Sequence, residues 1–462
     1  MEKKLINIEE ALNLEKKEVL ASYRENINPQ LVRMFSLLNF DKDFVRAEGA
    51  RIYDHEGEEY LDFLGGYGSL NFGHNPEEIS AAVRMVEQMP NLLQAAPGRM
   101  EAAAAHNLVK VCPGNLSRVF FANSGAEAIE AALKLARAAS EKEKLLYCSG
   151  SFHGKTMGAL SLTGRDKYRQ PFTPLVPEME MVPYGDPGAL EFKLESEEVA
   201  AFFLEPIQGE GGIIIPPPGY LQEVRQLCDR YGVLMILDEI QSGMGRTGEN
   251  FACEREGVVP DILCAAKSLG GGIVPAGACV SKKEIWDRAY GSLDKALLHT
   301  STFGGNTRTS AAVLESTRLL EEWGLASMAR EKGEYLLAGL KEITPGYELV
   351  KEVRGCGLMI GVEFEQEEKG LLDRLSGGKV SKYVREYLGA MVAGLLLNEY
   401  NILTAYTLNN PRVIRLEPPL VVKQKELDRL LEAFDDIFSS RDSLLDFAFS
   451  SARNALGGLF GN

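Results

Sequence analysis

Between about residue 75 and residue 310, short apolar runs alternate with helical stretches, and this constrains the fold more than any other feature of the chain. The runs are VFFAN (119–123), KLLYCS (144–149), VAAFFLEPI (199–207), VLMILDEI (233–240) and DILCAA (261–266). They are continuously apolar, as expected of strands whose two faces are both covered by helical crossovers. The pattern predicts an α/β fold with a mostly parallel sheet.

Outside this stretch the signals change. RIYDHEGEEYLDFLGG (51–66) reads as two short strands around His55-Glu56-Gly57, and residues 8–24 have helical spacing that Asn28-Pro29 ends. Residues 311–343 predict a long helix broken near Trp323-Gly324. RGCGLMIGVEF and RVIRLEPPLVV predict strands, followed by a helix from Lys425 to Phe438. At 462 residues the chain exceeds one compact core. The expected division is an N-terminal segment (1–74) contributing to a small domain and a dimer contact, a large domain (75–310), a C-terminal small domain (311–440) and an amphipathic tail (441–462). The tail is read as a helix packed on its own subunit or a frayed end, with a lipid- or partner-contacting helix as the alternative.

A formal net charge of −16 argues against nonspecific binding to nucleic acid or anionic lipid. Seven scattered cysteines with no C-x-x-C pair suggest reduced thiols rather than a disulfide framework or zinc site. The N-terminus has no apolar signal core and no run reaches membrane-spanning length, so a cytoplasmic protein without a membrane span is expected.

Four stretches carry chemistry. In FFANSGAEAIEAALKLARAAS (120–140) a strand ends at Asn123, and Ser124-Gly125-Ala126 opens a helix with Ser124 and Glu127 at capping-box spacing. Its free N–H groups and dipole offer a seat for phosphate, although most such caps bind nothing. VLMILDEIQSGMGRTG delivers Asp238 and Glu239 to the carboxyl end of a strand, where ligands bind in open parallel sheets. Alone, that strand equally suits a pyridinium partner, a magnesium ligand or a structural salt bridge. PDILCAAKSLGGG places Lys267 just past another strand, ahead of a glycine run. HTSTFGGN (299–306) is a small polar loop that could offer hydroxyls to a phosphate. CSGSFHGKT (148–156) approaches a P-loop, but Ser149 stands where the first glycine is required, and the strand before it lies too late in the domain.

Together with LEPIQGEGG, and with the lysine 26 residues after Gln241, these stretches resemble the class III (ornithine/acetylornithine-type) aminotransferases from about residue 25 to 438. EPIQGEGGIIIPPPGYL, MILDEIQSGMGRTG, FACE and TLNNPRVIRLEPPL are most similar to the putrescine-using members. The resemblance implies pyridoxal 5'-phosphate (PLP)-dependent fold type I, with a seven-stranded, mostly parallel large-domain sheet and a smaller α+β domain. Lys267 matches the lysine that holds the cofactor as a Schiff base and shuttles the proton. Asp238 matches the partner of the pyridine nitrogen, and Gln241 that of the phenolic oxygen. Phe152 and Ile240 should flank the ring, with His153 and Gly154 in the same cofactor-face element. Ser124, Gly125 and Ala126 should hold the phosphate, and Thr302 should reach the phosphate of a neighbouring subunit in a homodimer.

For substrate, Arg415 matches the arginine that grips an α-carboxylate, and Glu210 the acid that covers it when that carboxylate is absent. Lys155 replaces the arginine of ornithine-using members, and Tyr67 lines the same pocket. The implied reaction moves an amino group from a diamine such as putrescine to 2-oxoglutarate or pyruvate. The alternatives are an ω-transaminase for a longer amine or for a biosynthetic aldehyde or ketone, and an ornithine/acetylornithine-type enzyme.

Overall fold

The computed structural model describes residues 5–347, 349–365 and 379–440, with backbone only for 379–387, so the expected tail at 441–462 lies outside the described residues. Three helices open the chain: Ile8–Leu12, Lys16–Asn26 and Pro29–Leu38. Asn28-Pro29 ends the second of these, as expected, and also starts the third. Asn28 Oδ1 accepts the N–H groups of Gln30 and Leu31, and Pro29 occupies a first-turn position where no N–H is needed. Then β1 (Phe44–Glu48), β2 (Arg51–Asp54) and β3 (Glu59–Asp62) form an antiparallel meander, the last two being the hairpin read around His55-Glu56-Gly57.

The central sheet has seven strands: β4 (Leu116–Ala122), β5 (Lys144–Cys148), β6 (Met179–Val182), β7 (Val199–Leu204), β8 (Leu234–Asp238), β9 (Ile262–Ala265) and β10 (Gly277–Lys282). Their order is β4-β10-β9-β8-β7-β5-β6. The pairs β5–β6, β5–β7, β7–β8 and β8–β9 are parallel, and β10 runs antiparallel to both its neighbours. Every residue of β7, β8 and β9 is buried, which is why these runs carry no alternation. β6 is a short, partly exposed edge, and β10 opens on glycine; neither stood out as an apolar run. The order makes β7, β8 and β9 adjacent. Glu205, Asp238 and Lys267, each at or within two residues of its strand's carboxyl end, therefore emerge side by side.

After the helices Thr307–Glu322 and Leu325–Ile343, separated as expected at Trp323-Gly324, comes a second antiparallel sheet. It contains β11 (Val350–Cys356), β12 (Met359–Phe364), β14 (Ala405–Tyr406) and β15 (Val413–Leu416), in the order β11-β12-β15-β14. The helices Lys379–Tyr400 and Gln424–Ser439 complete this part. The two-residue β13 (Ile402–Leu403) pairs in parallel with β3, tying the late chain to the early meander. Among the described residues, no helix is long and apolar enough to cross a membrane.

Candidate active site

A cleft of about 790 Å³ opens over the carboxyl ends of β7, β8 and β9. Its lining brings together twelve of the residues singled out from sequence: Tyr67, Ser124, Gly125, Ala126, Phe152, His153, Lys155, Glu210, Asp238, Ile240, Gln241 and Lys267. Arg415 lies fully buried behind Glu210, and Thr302 is exposed away from this lining.

The helix Gly125–Ser140 begins at one wall. Ser124 Oγ accepts the N–H of Glu127 at 3.2 Å, as the spacing predicted. The reciprocal half of the box differs: the Glu127 carboxylate accepts from the N–H of Asn123, one residue earlier. Glu127 therefore leaves the N–H groups at the very start of the helix to other acceptors, and these are the donors a phosphate needs. A Cβ on Gly125 would lie 2.8 Å from Cδ1 of Ile240, so glycine lets the helix start sit directly on that side chain. Ile129, Leu133 and Ala136 bury the opposite stripe of the helix, fixing its direction.

Asp238 ends β8 and is buried. Its Oδ2 is 2.7 Å from Nδ1 of His153, and its Oδ1 accepts the N–H of Ile240 at 3.0 Å. Burial works against charge on His153, but the hydrogen bond and charge of Asp238 outweigh it and raise the imidazole above its ordinary value. A carboxylate beneath a pyridinium nitrogen is what keeps that nitrogen protonated, and His153 holds Asp238 in place for it. The adjacent Glu239 has a different task. Its carboxylate accepts from Ser242 Oγ and from the N–H groups of Ala252 and Cys253, so it is a structural acid and no magnesium ligand. The CSGSFHGKT stretch likewise forms a cleft wall, delivering Phe152, His153 and Lys155 rather than cradling a nucleotide.

Lys267 follows β9 in a left-handed conformation (φ +50°), a local strain of the kind found at functional sites. Burial lowers its ammonium below the usual value, with Glu417 and Glu210 pulling it partly back. A lysine so placed is a better nucleophile at neutral pH. Phe152 and Ile240 line the cleft with it, and Gln241 Nε2 donates to the carbonyl of Tyr67 at 3.1 Å. The donor set suits PLP: open helix N–H groups for phosphate, a buried carboxylate at a strand end, a desolvated lysine and two apolar side chains for a ring.

At the other end, Arg415 Nη2 lies 2.5 Å from Oε2 of Glu210, which also accepts the N–H of Leu408 at 2.7 Å. Burial opposes both charges, yet the pairing leaves the acid below and the guanidinium above their ordinary values. Tyr67, itself left-handed and half-exposed, places its ring 5.1 Å from the guanidinium carbon. Lys155 is exposed at the rim, with Nζ 5.6 Å from the ring of Tyr168. Met34, Phe35, Leu38 and Phe40, from the third helix and the turn after it, add an apolar wall, with Ile273, Val274 and Leu408.

Sequence reasoning missed this wall and two buried acids. Glu205 accepts the N–H groups of Phe152 and Gly209, and burial raises it to about 7 against the pull of His153. Its signal was its place one residue past an apolar strand. Glu417 contacts both Arg415 and Gln241, and its signal was the i, i+2 spacing from Arg415 on a strand.

The family model for aminotransferase class-III matches residues 38–438. Over 463 residues the chain is 38% identical to aminotransferase PigE of a Serratia species, covering 93% of this chain and 54% of that protein. The chain thus spans about half the length of this curated relative. The ornithine aminotransferase of Toxoplasma gondii ME49 superposes with a TM-score of 0.82 at 31% identity, covering 95% of this chain and all of that one. An amine transaminase from an uncultivated Pseudomonas species, in its PLP-bound (internal aldimine) form, gives 0.76 at 27% identity over 86% of this chain and 95% of its own. This chain belongs to the class III aminotransferases, which are pyridoxal 5'-phosphate enzymes of fold type I.

Proposed function

We propose that the chain is an ω-transaminase. It takes the amino group from a primary amine whose amino carbon bears no carboxylate and transfers it to a keto acid such as 2-oxoglutarate or pyruvate, or works in reverse on an aldehyde or ketone. The observation that carries this reading is Glu210 seated on Arg415 in a cleft whose outer wall is apolar. With Glu210 in place, a carboxylate-free amine meets a neutralised arginine and can lay its hydrocarbon body against Phe35, Leu38 and Leu408. With Glu210 displaced, Arg415 can take a keto-acid carboxylate.

In this reading Lys267 Nζ would take the proton from the amino-bearing carbon and hand it on from the same side of the ring. Bound PLP supplies the electron sink for the pair left behind. Asp238, backed by His153, keeps the ring nitrogen protonated, and Gln241 holds the phenolic oxygen. Phe152 and Ile240 fix the ring plane, and Ser124, Gly125 and Ala126 carry the phosphate. Lys155 at the rim is a point charge for a distal carboxylate of the acceptor, not a planar fork. Thr302 is exposed and does not line its own cleft, which suits the expected homodimer in which it would complete the partner's site. The division at residues 75 and 310 into large and small domains belongs to the same reading.

Putrescine fits the pairing of Glu210 with Arg415, but its second ammonium is less well served. The cleft's carboxylates Glu205, Glu210 and Asp238 already have partners, and Lys155 adds a positive charge. An amine with a longer apolar body is the better fit. The test is the visible spectrum of purified holoenzyme, with amine added and no acceptor present. A monoamine with an alkyl chain should bleach the cofactor band faster than putrescine, and glutamate should bleach it as the return substrate. Bleaching by amino acids alone would overturn the reading.

A further inference from the structure

Glu417 touches neither cofactor nor substrate in the roles assigned so far, yet it is the most enclosed acid of the site. It follows Arg415 by two residues and lies on the same face of the strand, with no exposed side-chain surface. Its Oε2 accepts from Arg415 Nη1 and from Gln241 Nε2, both at 3.2 Å. Its Oε1 is buried without a hydrogen-bond partner among the described residues, as is Nε of Arg415, while Nη2 of Arg415 faces Glu210.

The two acids on Arg415 differ in freedom. Glu210 lines the cleft and keeps 14% of its side chain exposed. Glu417 is pinned: its N–H donates to the carbonyl of Phe63, and the turn Gly65–Gly68 lies against it. A Cβ on Gly65 would come within 2.3 Å of the Glu417 carbonyl oxygen, and one on Gly68 within 3.5 Å of Oε1. All four residues of that turn are left-handed, which permits this approach. Glu417 has nowhere to swing.

We propose that Glu417 is a specificity-determining residue acting through Arg415. It fixes the Nη1 end of the guanidinium and leaves the Nε–Nη2 edge as the fork a substrate carboxylate meets once Glu210 moves aside. Its carboxylate, held against Nη1, takes up part of the guanidinium's charge and so weakens that fork. The inference rests on Arg415 being the carboxylate grip of the proposed function. A unit charge several ångströms from a bound carboxylate, in a partly buried site, changes affinity by about tenfold. The keto acid is thereby held loosely and released readily, while a carboxylate-free amine is unaffected. Through Gln241 the same acid also links the grip to the cofactor's phenolic side.

The test is calorimetric titration of glutarate, a dicarboxylate that cannot react, into the holoenzyme. E417Q keeps the shape and the acceptor oxygen but removes the charge, and it should bind glutarate about tenfold more tightly than wild type. In turnover, the KM for the keto acid should fall by a larger factor than kcat changes in either half-reaction, a split that a merely structural role would not produce. Glu417 also offsets the buried charge of Arg246, so E417Q should melt at a lower temperature. If it does not fold, E417D serves: it keeps the charge but withdraws it by one methylene, and should bind glutarate more tightly than wild type by a smaller factor. Unchanged or weaker glutarate binding in folded E417Q, or wild-type affinity in E417D when E417Q fails to fold, overturns the proposal. R415Q separates the two ideas. If it binds glutarate as wild type does, the grip itself is wrong, whereas loss in R415Q with no change in E417Q sinks only the role of Glu417.

Discussion

Asp238 and Glu210 are acids facing one cleft, each paired with a basic side chain, yet they are built differently. Asp238 closes a fully buried strand, and its two oxygens are bound by His153 and by a backbone N–H two residues on. Glu210 sits on a loop, and its pairing with Arg415 competes with whatever carboxylate enters. The cofactor end of the cleft is anchored to the rigid sheet, where fixed charge serves electrostatics that must not rearrange. The end around Arg415 is assembled from loops and a second sheet, and in the proposed reading its ion pair opens so that one site takes two kinds of molecule. Rigidity and adaptability are separated by position in the fold.

Breaking the cofactor end should cost most. Lys267→Ala should lower steady-state transamination by about 10⁴-fold or more and abolish the lysine-bound visible band while the protein stays folded. Near-wild-type turnover would refute its assignment. Asp238→Asn removes the charge but keeps the shape, and should cost between about 10²- and 10³-fold in both half-reactions alike.

The substrate end should break asymmetrically, which sharpens the contrast. Arg415→Gln should lower kcat/KM for the keto acid by about 10- to 100-fold, the value of a charge-assisted fork, and leave the amine half-reaction within about threefold. Equal losses in both halves, measured by single-turnover spectroscopy, would mean that Arg415 is part of the rigid end instead.

The smallest effect concerns Glu205, which lies beneath the cofactor end. Burial raises its native value to about 7, from 4.5 for the free side chain. Between those limits the native protein holds a proton that the unfolded chain has released. The stabilisation from this group is therefore complete at low pH and lost as pH rises through about 7. Glu205→Gln should flatten the fall in apoenzyme melting temperature between pH 5 and pH 8 by about 1–3 °C. A steeper fall in the variant would reverse the sign of this argument.

Much of the rigid end was legible in the sequence, because its determinants are local. A continuous apolar run announces a doubly covered strand, and a polar residue at or just past its end lies near the sheet's open edge; that rule placed Asp238 and Lys267, while their roles came from the family resemblance. Ser124 declares a helix start three residues ahead of Glu127, and Trp323-Gly324 declares a break. The same rule applied to VAAFFLEPI would have singled out Glu205, which was quoted in its motif but left without a task. β6 and β10 were missed because a short edge strand and a strand opening on glycine have no continuous apolar core.

Of this protein, then, the sequence by itself determined the alternation of buried strands with helices, the lysine past one strand, the acid ending another and the helix start at Ser124, since each is set by neighbours a few residues away. Only the tertiary structure decided which charges face one another. Gln241 meets Glu417 across 176 residues and Leu408 meets Glu210 across 198, while a helix begun by Asn28-Pro29 supplies the apolar wall. Such contacts leave no periodic trace in the chain, because a buried ion pair depends on distance and desolvation in space rather than on spacing in sequence.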